Sequence, residues 1–183
     1  EKMTALADAG TAGRRKAWVE QAQDYRKAWY EEFDSLLNSD AVPIRPERIC
    51  SELSKHLPDD ALVVCDTGHA GMWMGGMFDL KAPTHSYIRC AGHLGWAFPA
   101  AIGAQCGVPD RPVVCFTGAA GFWYHVAEIE TAVRWNIPAV IVVNNNRSGN
   151  QSKAGYDVSY GGEQTEQAKE LWVFKDIQFA QIA

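Results

Sequence analysis

The sequence predicts an α/β domain, a doubly wound, mainly parallel sheet with helices on both faces. Three observations predict it. Residues 113–143 read as one strand–helix–strand unit: the apolar run Val113–Phe116, then Phe122, Val126, Ile129 and Val133 at helical spacing up to Asn136, then the β-branched run Ala139–Val143. Leu62–Cys65 is a second short apolar run, and it leads straight into the polar turn Asp66-Thr67-Gly68-His69. Neither run alternates with polar residues, as expected of parallel strands buried on both faces. In open α/β sheets ligands sit beyond the carboxyl ends of the strands. Here those ends carry the small-residue turn Gly118-Ala119-Ala120-Gly121 and the triplet Asn144-Asn145-Asn146.

Composition narrows the function classes. A chain of 183 residues, 47% hydrophobic and 21% charged, is globular and sized for one ordinary domain. Its net charge of −5, without a basic cluster, argues against a general nucleic-acid binder. No apolar run is long enough to cross a membrane, so no membrane partner is expected. The five cysteines (Cys50, Cys65, Cys90, Cys106 and Cys115) show no CxxC spacing. They read as buried free thiols of a cytoplasmic protein rather than as a zinc site or a disulfide framework.

The elements follow in order. Residues 1–40 form a helical connector: Trp18, Ala22, Tyr25, Trp29, Phe33 and Leu36 recur at steps of three or four, one face of a long helix suited to packing on a neighbouring domain. The remaining residues, 41–183, form the ligand-binding domain. Pro46 opens a short helix with Ile49, Leu53 and Leu57 on its apolar face. After the Asp66–His69 turn, the bulky run Met72, Trp73, Met74, Met77 and Phe78 is assigned to the core. Tyr87–Cys90 is a strand. In Ala91–Ala104 (AGHLGWAFPAAIGA), the small residues Ala100, Ala101, Gly103 and Ala104 let a helix pack closely on the sheet. Glu130 and Arg134 stand four apart and pair on a solvated helix face. Arg147–Gly162 is a polar, glycine-rich loop, a candidate lid. Glu163–Lys169 is helical. The abrupt end at Ala183 reads as truncation of a longer chain.

The glycine turn and the Asn triplet together resemble the diphosphate-binding motif of thiamine-diphosphate-dependent enzymes, and most of all that of acetohydroxyacid synthases. The resemblance covers essentially the whole chain. The family pattern opens with Gly-Asp-Gly or Gly-Asp-Ala and closes on Asn-Asn. Its Asp, its second Asn and a carbonyl two residues on hold Mg²⁺, which holds the diphosphate. Gly118, Ala119, Ala120 and Gly121 match the opening, and Asn145-Asn146 match the pair. Positions 119 and 146 are 27 apart (146 − 119), as in acetohydroxyacid synthases. By this resemblance Asn146 and the Ser148 carbonyl are the metal ligands. The alternative pair, Asn144-Asn145, would shift them to Asn145 and Arg147. The turn with Gly68 and His69 is the family's second contact to the diphosphate. Ala91–Ala104 is similar to the family segment Gly-x-Met-Gly-x-x-x-Pro-Ala-Ala-Ile-Gly. There the Gly carbonyl accepts from the cofactor's aminopyrimidine, and the Met bends the cofactor so that it deprotonates itself at the reactive carbon. Gly92 and Leu94 take those positions, and Leu keeps the bulk of Met.

One departure matters. Ala119 stands where the family has the ligand Asp, and it has no oxygen to offer. Mg²⁺ is usually held by one or two carboxylates plus substrate phosphates. Impaired binding of Mg²⁺–thiamine diphosphate is therefore expected. The resemblance implies C–C bond formation or cleavage beside a carbonyl, by acetolactate-synthase-like decarboxylation and carboligation of a 2-keto acid or aldehyde. The alternatives are a 2-hydroxyacyl-CoA lyase or decarboxylase of the same family, or a non-catalytic scaffold domain. A Rossmann dinucleotide site is disfavoured, because no turn spells GxGxxG. The family's activating Glu lies on a pyrimidine-binding domain and has no counterpart here. The expected partner is that domain, from the same or another chain of a homodimer or homotetramer.

Overall fold

The computed structural model describes residues 9–182; the first eight residues of the expected connector, and Ala183 at the expected truncation, lie outside them. The chain divides into two units, Glu1–Arg48 and Ile49–Ala183. In the first, α1 (Ala9–Leu37) is the long helix that the apolar spacing predicts. Trp29 and Phe33, one turn apart, bring their rings within 4.3 Å. Trp18 and Tyr25 of the same series are exposed. Past the helix end, the Asn38 amide donates to the Asp34 carbonyl at 3.2 Å and to its carboxylate at 2.9 Å. In sequence, α2 (Pro46–His56) crosses from the first unit into the second.

The second unit alternates strand and helix: β1 (Leu62–Cys65), α3 (His69–Met77), β2 (Ser86–Arg89), α4 (Ala97–Gly107), β3 (Val113–Gly118), α5 (Ala119–Tyr124), α6 (Glu128–Arg134) and β4 (Val140–Asn144). All three strand pairings are parallel, in the order β2-β1-β3-β4. The chain leaves β1 toward β2 and leaves β3 toward β4. The winding therefore reverses between β1 and β3, and a ligand crevice is expected at their carboxyl ends.

Burial shows why the strand sequences are continuously apolar. Leu62 and Val64 of β1, with Val113 and Cys115 of β3, share one buried cluster with Phe98, Ala101 and Ile102 of α4 and Phe122 of α5. The strand residues of opposite phase, Val63, Cys65, Val114 and Phe116, are equally buried. On that side the Cys65 thiol approaches the Ala70 carbonyl of α3 at 3.7 Å, and Cys50 meets the Met74 sulfur at 3.5 Å. Helices thus cover both faces, and the expected fold class holds.

Several local expectations need correction. The single helix expected from Phe122 to Asn136 is two. The Glu128, Ile129 and Glu130 amides bond to carbonyls three residues back, at 2.9–3.1 Å, which tightens the chain through residues 125–127 and breaks the α-helical ladder. The expected glycine turn is no loop either, since β3 runs through Gly118 and α5 begins at Ala119. The candidate lid holds a 3₁₀ turn, Asn150–Ser152, and then α7 (Lys153–Ser159), supported by an i,i+4 pair, Lys153–Asp157, at 2.9 Å. The next helix, α8 (Glu166–Glu170), starts later than expected because Thr165 caps it, accepting from the Ala168 amide at 3.1 Å. The Glu130–Arg134 pair forms as expected, at 2.6 Å. Met74 and Met77 are core residues, whereas Met72 is exposed. All five cysteines are free; Cys50, Cys65 and Cys115 are buried, Cys90 is half-buried, and Cys106 is exposed on α4. Among the described residues no helix is long and apolar enough to cross a membrane.

Candidate functional site

At the carboxyl ends of β1, β3 and β4 lies a cleft of about 90 Å³, room for a phosphate-sized group. Its walls come from three stretches. Thr67, Gly68, His69, Ala70 and Trp73 follow β1; Gly118, Ala119, Ala120 and Gly121 close β3 and open α5; Asn144, Asn146 and Ser148–Ser152 follow β4. Leu94 adds the tip of the β2–α4 connection. Nine of the ten cofactor-site residues read from the sequence therefore share one cleft. The tenth, Gly92, stands beside it, its amide donating to the Thr67 hydroxyl at 3.1 Å.

Two helices open at this cleft. Gly68 precedes α3 and Gly118 precedes α5, and neither supplies a side-chain cap. The first amides of a helix have no partner within it, and the helix dipole favours negative charge there. Gly68 has φ +80°, and a Cβ on it would stand 2.8 Å from the Gln151 side-chain oxygen. A larger residue at 68 would meet both backbone strain and the far wall. His69 is the first residue of α3 and turns its ring toward Trp73, with centroids 5.6 Å apart. It caps nothing.

The Asn triplet resolves by side. Asn144 and Asn146 line the cleft, and Asn145 does not. The Asn145 amide instead donates to the Ile177 carbonyl at 3.0 Å, and its oxygen accepts from the Arg147 amide at 3.1 Å. The Arg147 carbonyl is taken by the Phe174 amide at 2.7 Å, and the Gly149 amide reaches the Trp172 carbonyl at 2.7 Å. Segment 172–174 thus clamps the turn from behind, with an antiparallel bridge between Ser148 and Val173. Both ligands of the alternative register, Asn145 and Arg147, are engaged on that far side.

The donor set decides what fits. Among the described residues no carboxylate and no Lys or Arg lines the cleft, and no cluster of three His, Cys, Asp or Glu side chains is placed to hold a metal. Backbone amides at two helix starts, with hydroxyls and amides from Thr67, Asn146, Ser148 and Gln151, suit a phosphate. Mg²⁺ is usually held by one or two carboxylates plus substrate phosphates, and this lining offers none; Ala119, only 1% exposed, contributes a methyl group.

Sequence reasoning missed the residues behind the cleft. Asp66 is 1% exposed and Thr117 fully buried, and the Thr117 hydroxyl donates to the Asp66 carboxylate at 2.6 Å. The Thr67 amide donates to the same carboxylate at 2.8 Å, and the Gly95 amide at 3.0 Å. An acid at a strand end, one residue before a cleft, was the available signal. Nδ1 of His125 lies 3.0 Å from the Gly95 carbonyl. A larger apolar cavity of about 340 Å³, between Phe98, Phe122, Ile141, Val143, Ile177 and Phe179, offers little polar chemistry.

Comparison with known proteins gives a consistent result. Residues 66–183 match the family model described as "Thiamine pyrophosphate enzyme, C-terminal TPP binding domain". A probable acetolactate synthase large subunit of Methanococcus aeolicus is 31% identical over 154 residues, 80% of this chain and 25% of that protein. Glyoxylate carboligase of Escherichia coli O157:H7 is 31% identical over 160 residues, 85% of this chain and 26% of that protein. The solved structure of the Rhodococcus jostii RHA1 thiamine diphosphate-dependent 4-hydroxybenzoylformate decarboxylase superposes with a TM-score of 0.63 at 26% identity, over 76% of this chain and 25% of that one. The chain spans about a quarter of the length of these relatives.

Proposed function

The chain belongs to the thiamine pyrophosphate enzymes, as their C-terminal TPP binding domain, and from that premise we propose that it grips the diphosphate end of thiamine diphosphate in an enzyme that makes or breaks C–C bonds beside a carbonyl. The observation that carries the reading is the convergence of Gly68, His69, Leu94, Gly118–Gly121, Asn146 and Ser148 on one cleft with two uncapped helix starts. The amides after Gly68 and Gly118 bind phosphate oxygens. The carbonyl of Gly92 and the side chain of Leu94 would hold the aminopyrimidine end. When bound, thiamine diphosphate would supply nucleophilic-carbon and electron-sink chemistry beside a carbonyl.

Asn146 and the Ser148 carbonyl are the proposed metal ligands. With Ala119 in place of an acid they are neutral and few, so this copy binds Mg²⁺–thiamine diphosphate weakly. Acetolactate-synthase-like carboligation of a 2-keto acid is the leading reaction class, supported by the similarity to an acetolactate synthase and a carboligase. Simple decarboxylation is the second reading, favoured by the structural likeness to a decarboxylase. Either reaction needs a pyrimidine-binding domain that carries the activating Glu. That domain and a homodimeric or homotetrameric assembly are part of the proposal, as is α1 as the connector.

The test is turnover of pyruvate by the full-length protein, reading CO₂ release and acetolactate formation with and without Ala119→Asp. The introduced acid is expected to raise CO₂ release at least about 100-fold, since losing even an outer-shell partner of a metal ligand costs about 10–100-fold. Acetolactate as product supports carboligation, and CO₂ with free acetaldehyde supports decarboxylation. No turnover of pyruvate or another 2-keto acid by a restored, cofactor-loaded protein would overturn the reaction class.

A further inference from the structure

Asp66 is a carboxylate buried behind the cleft, and no cation pairs with it among the described residues. Burying a charge is costly unless hydrogen bonds replace the lost water. Three segments replace it. The Thr67 amide donates to Oδ1 at 2.8 Å, the Gly95 amide to Oδ1 and Oδ2 at 3.0 and 3.2 Å, and the Thr117 hydroxyl to Oδ2 at 2.6 Å. Each segment continues into a different wall of the site: Thr67 into Gly68 and His69, Thr117 into Gly118, while Gly95 closes the turn that presents Gly92 and Leu94.

Two packing facts bind these segments to one geometry. A Cβ on Gly121 would overlap Oδ2 of Asp66, so α5 sits directly on the carboxylate. Gly95 has φ +88°, and a Cβ on it would stand 2.7 Å from the Tyr124 Cβ and 3.0 Å from the Gly121 carbonyl oxygen. Its own carbonyl lies 3.0 Å from His125 Nδ1. The 92–95 turn is therefore held from one side by Asp66 and from the other by the end of α5.

We propose that Asp66 is a positioning residue, which fixes the Gly92–Gly95 turn against the β3–α5 junction and so sets the spacing between the two ends of the bound cofactor. The proposal rests on the cofactor reading above. It touches neither substrate nor cofactor; it acts through the Gly95 amide. The Gly68 and Gly118 walls are held in addition by the backbone, through the Asp66 amide on the Phe116 carbonyl at 2.9 Å and the pairing of Gly118 with Asn144, so removing the carboxylate disturbs the diphosphate end less than the Gly92–Gly95 turn.

The experiment uses the full-length protein carrying Ala119→Asp, so that binding is measurable, with Asp66→Ala and Asp66→Asn added singly. Asp66→Ala is expected to speed amide exchange in the peptide spanning residues 91–96 at least tenfold. It is expected to weaken thiamine diphosphate about tenfold while leaving inorganic pyrophosphate within about twofold. Asp66→Asn keeps Oδ1 for the Thr67 and Gly95 amides, and Thr117 can turn its hydroxyl to accept from the new amide. It is expected to return both readouts to within about threefold of the parent. If Asp66→Ala does not fold, Thr117→Val, which removes one donor, is expected to speed exchange of the same peptide by a smaller factor. Unchanged exchange, equal weakening of both ligands, or no rescue by Asn would overturn the proposal. If the protein with Asp66 intact binds neither ligand, the cofactor reading fails instead, and amide exchange still decides whether Asp66 holds the turn.

Discussion

The Gly95 amide donates to both carboxylate oxygens of Asp66, at 3.0 and 3.2 Å, across 29 residues of sequence. This contact joins the β2–α4 connection to the end of β1. Position 121 is glycine because the same carboxylate occupies the space that its Cβ would need. Gly121→Ala must push Asp66 off its donors and is expected to cost about 2–3 kcal/mol, the scale of an overpacked core site. Gly118 is the control. It has an extended backbone and nothing within 4 Å of an added Cβ, so Gly118→Ala is expected to stay within about 0.5 kcal/mol. Urea unfolding of the two variants beside the parent checks the contrast.

The two sides of the Asn turn separate ligand binding from stability. Asn146 faces the cleft; Asn145 faces Ile177 and Arg147. In the Ala119→Asp protein, Asn146→Ala, which loses only the exposed bond from the Ser148 amide at 3.2 Å, is expected to weaken the cofactor about tenfold or more and to cost about 0.5 kcal/mol. Asn145→Ala is expected to leave cofactor affinity within about twofold and to cost about 1 kcal/mol for its lost hydrogen bonds. Titration calorimetry and urea unfolding together distinguish the pair.

Cys65 links stability to alkaline pH. Burial, the largest cause, raises its thiol from the ordinary value of 9.0 to about 11. The folded state thus holds a proton that the unfolded state releases. The contribution is complete below pH 9.0 and is lost as pH rises through about 11. That rise corresponds to about 2–3 kcal/mol at most. Burial raises Cys115 in the same direction. Urea midpoints measured between pH 8 and pH 11 should fall for the parent, and fall less steeply for Cys65→Ala.

Gln105 ties the end of α4 to the start of β3. It is 3% exposed; its amide donates to the Arg111 carbonyl at 2.9 Å and to the Val108 carbonyl at 3.2 Å, and its oxygen accepts from the Val113 amide at 3.3 Å. Gln105→Leu fills the same volume but leaves buried backbone groups unpaired. A loss of about 2–4 kcal/mol is expected by urea unfolding, from more than one orphaned group.

The central strands β1 and β3 were legible because a parallel strand buried on both faces is written as an unbroken apolar run, whereas the edge strand β2 is partly exposed and mixes Ser86 and Arg89 with Tyr87 and Ile88. Leu62–Cys65 matches its strand residue for residue, and the other three shift by one or two positions. The cleft was legible too, since strand ends and small-residue turns are local features. What was not legible depends on distant partners. The break at residues 125–127 accompanies a contact from His125 to Gly95, 30 residues away. The importance of Asp66 comes from donors 29 and 51 residues away. The facing of Asn144 and Asn146 over Asn145 is fixed by bonds from segment 172–178, whose pairing with the Asn turn no local pattern announces.

The proposed site is a diphosphate cleft disabled at one position. Calorimetric titration of the full-length protein with thiamine diphosphate, with and without Mg²⁺, as it stands and with Ala119→Asp, tests it most directly. Tight, Mg²⁺-dependent binding is expected only in the Ala119→Asp protein, with the parent weaker by about 100-fold or more. Equally tight, Mg²⁺-dependent binding by both would contradict it, because the site would then hold its metal without an acid at position 119.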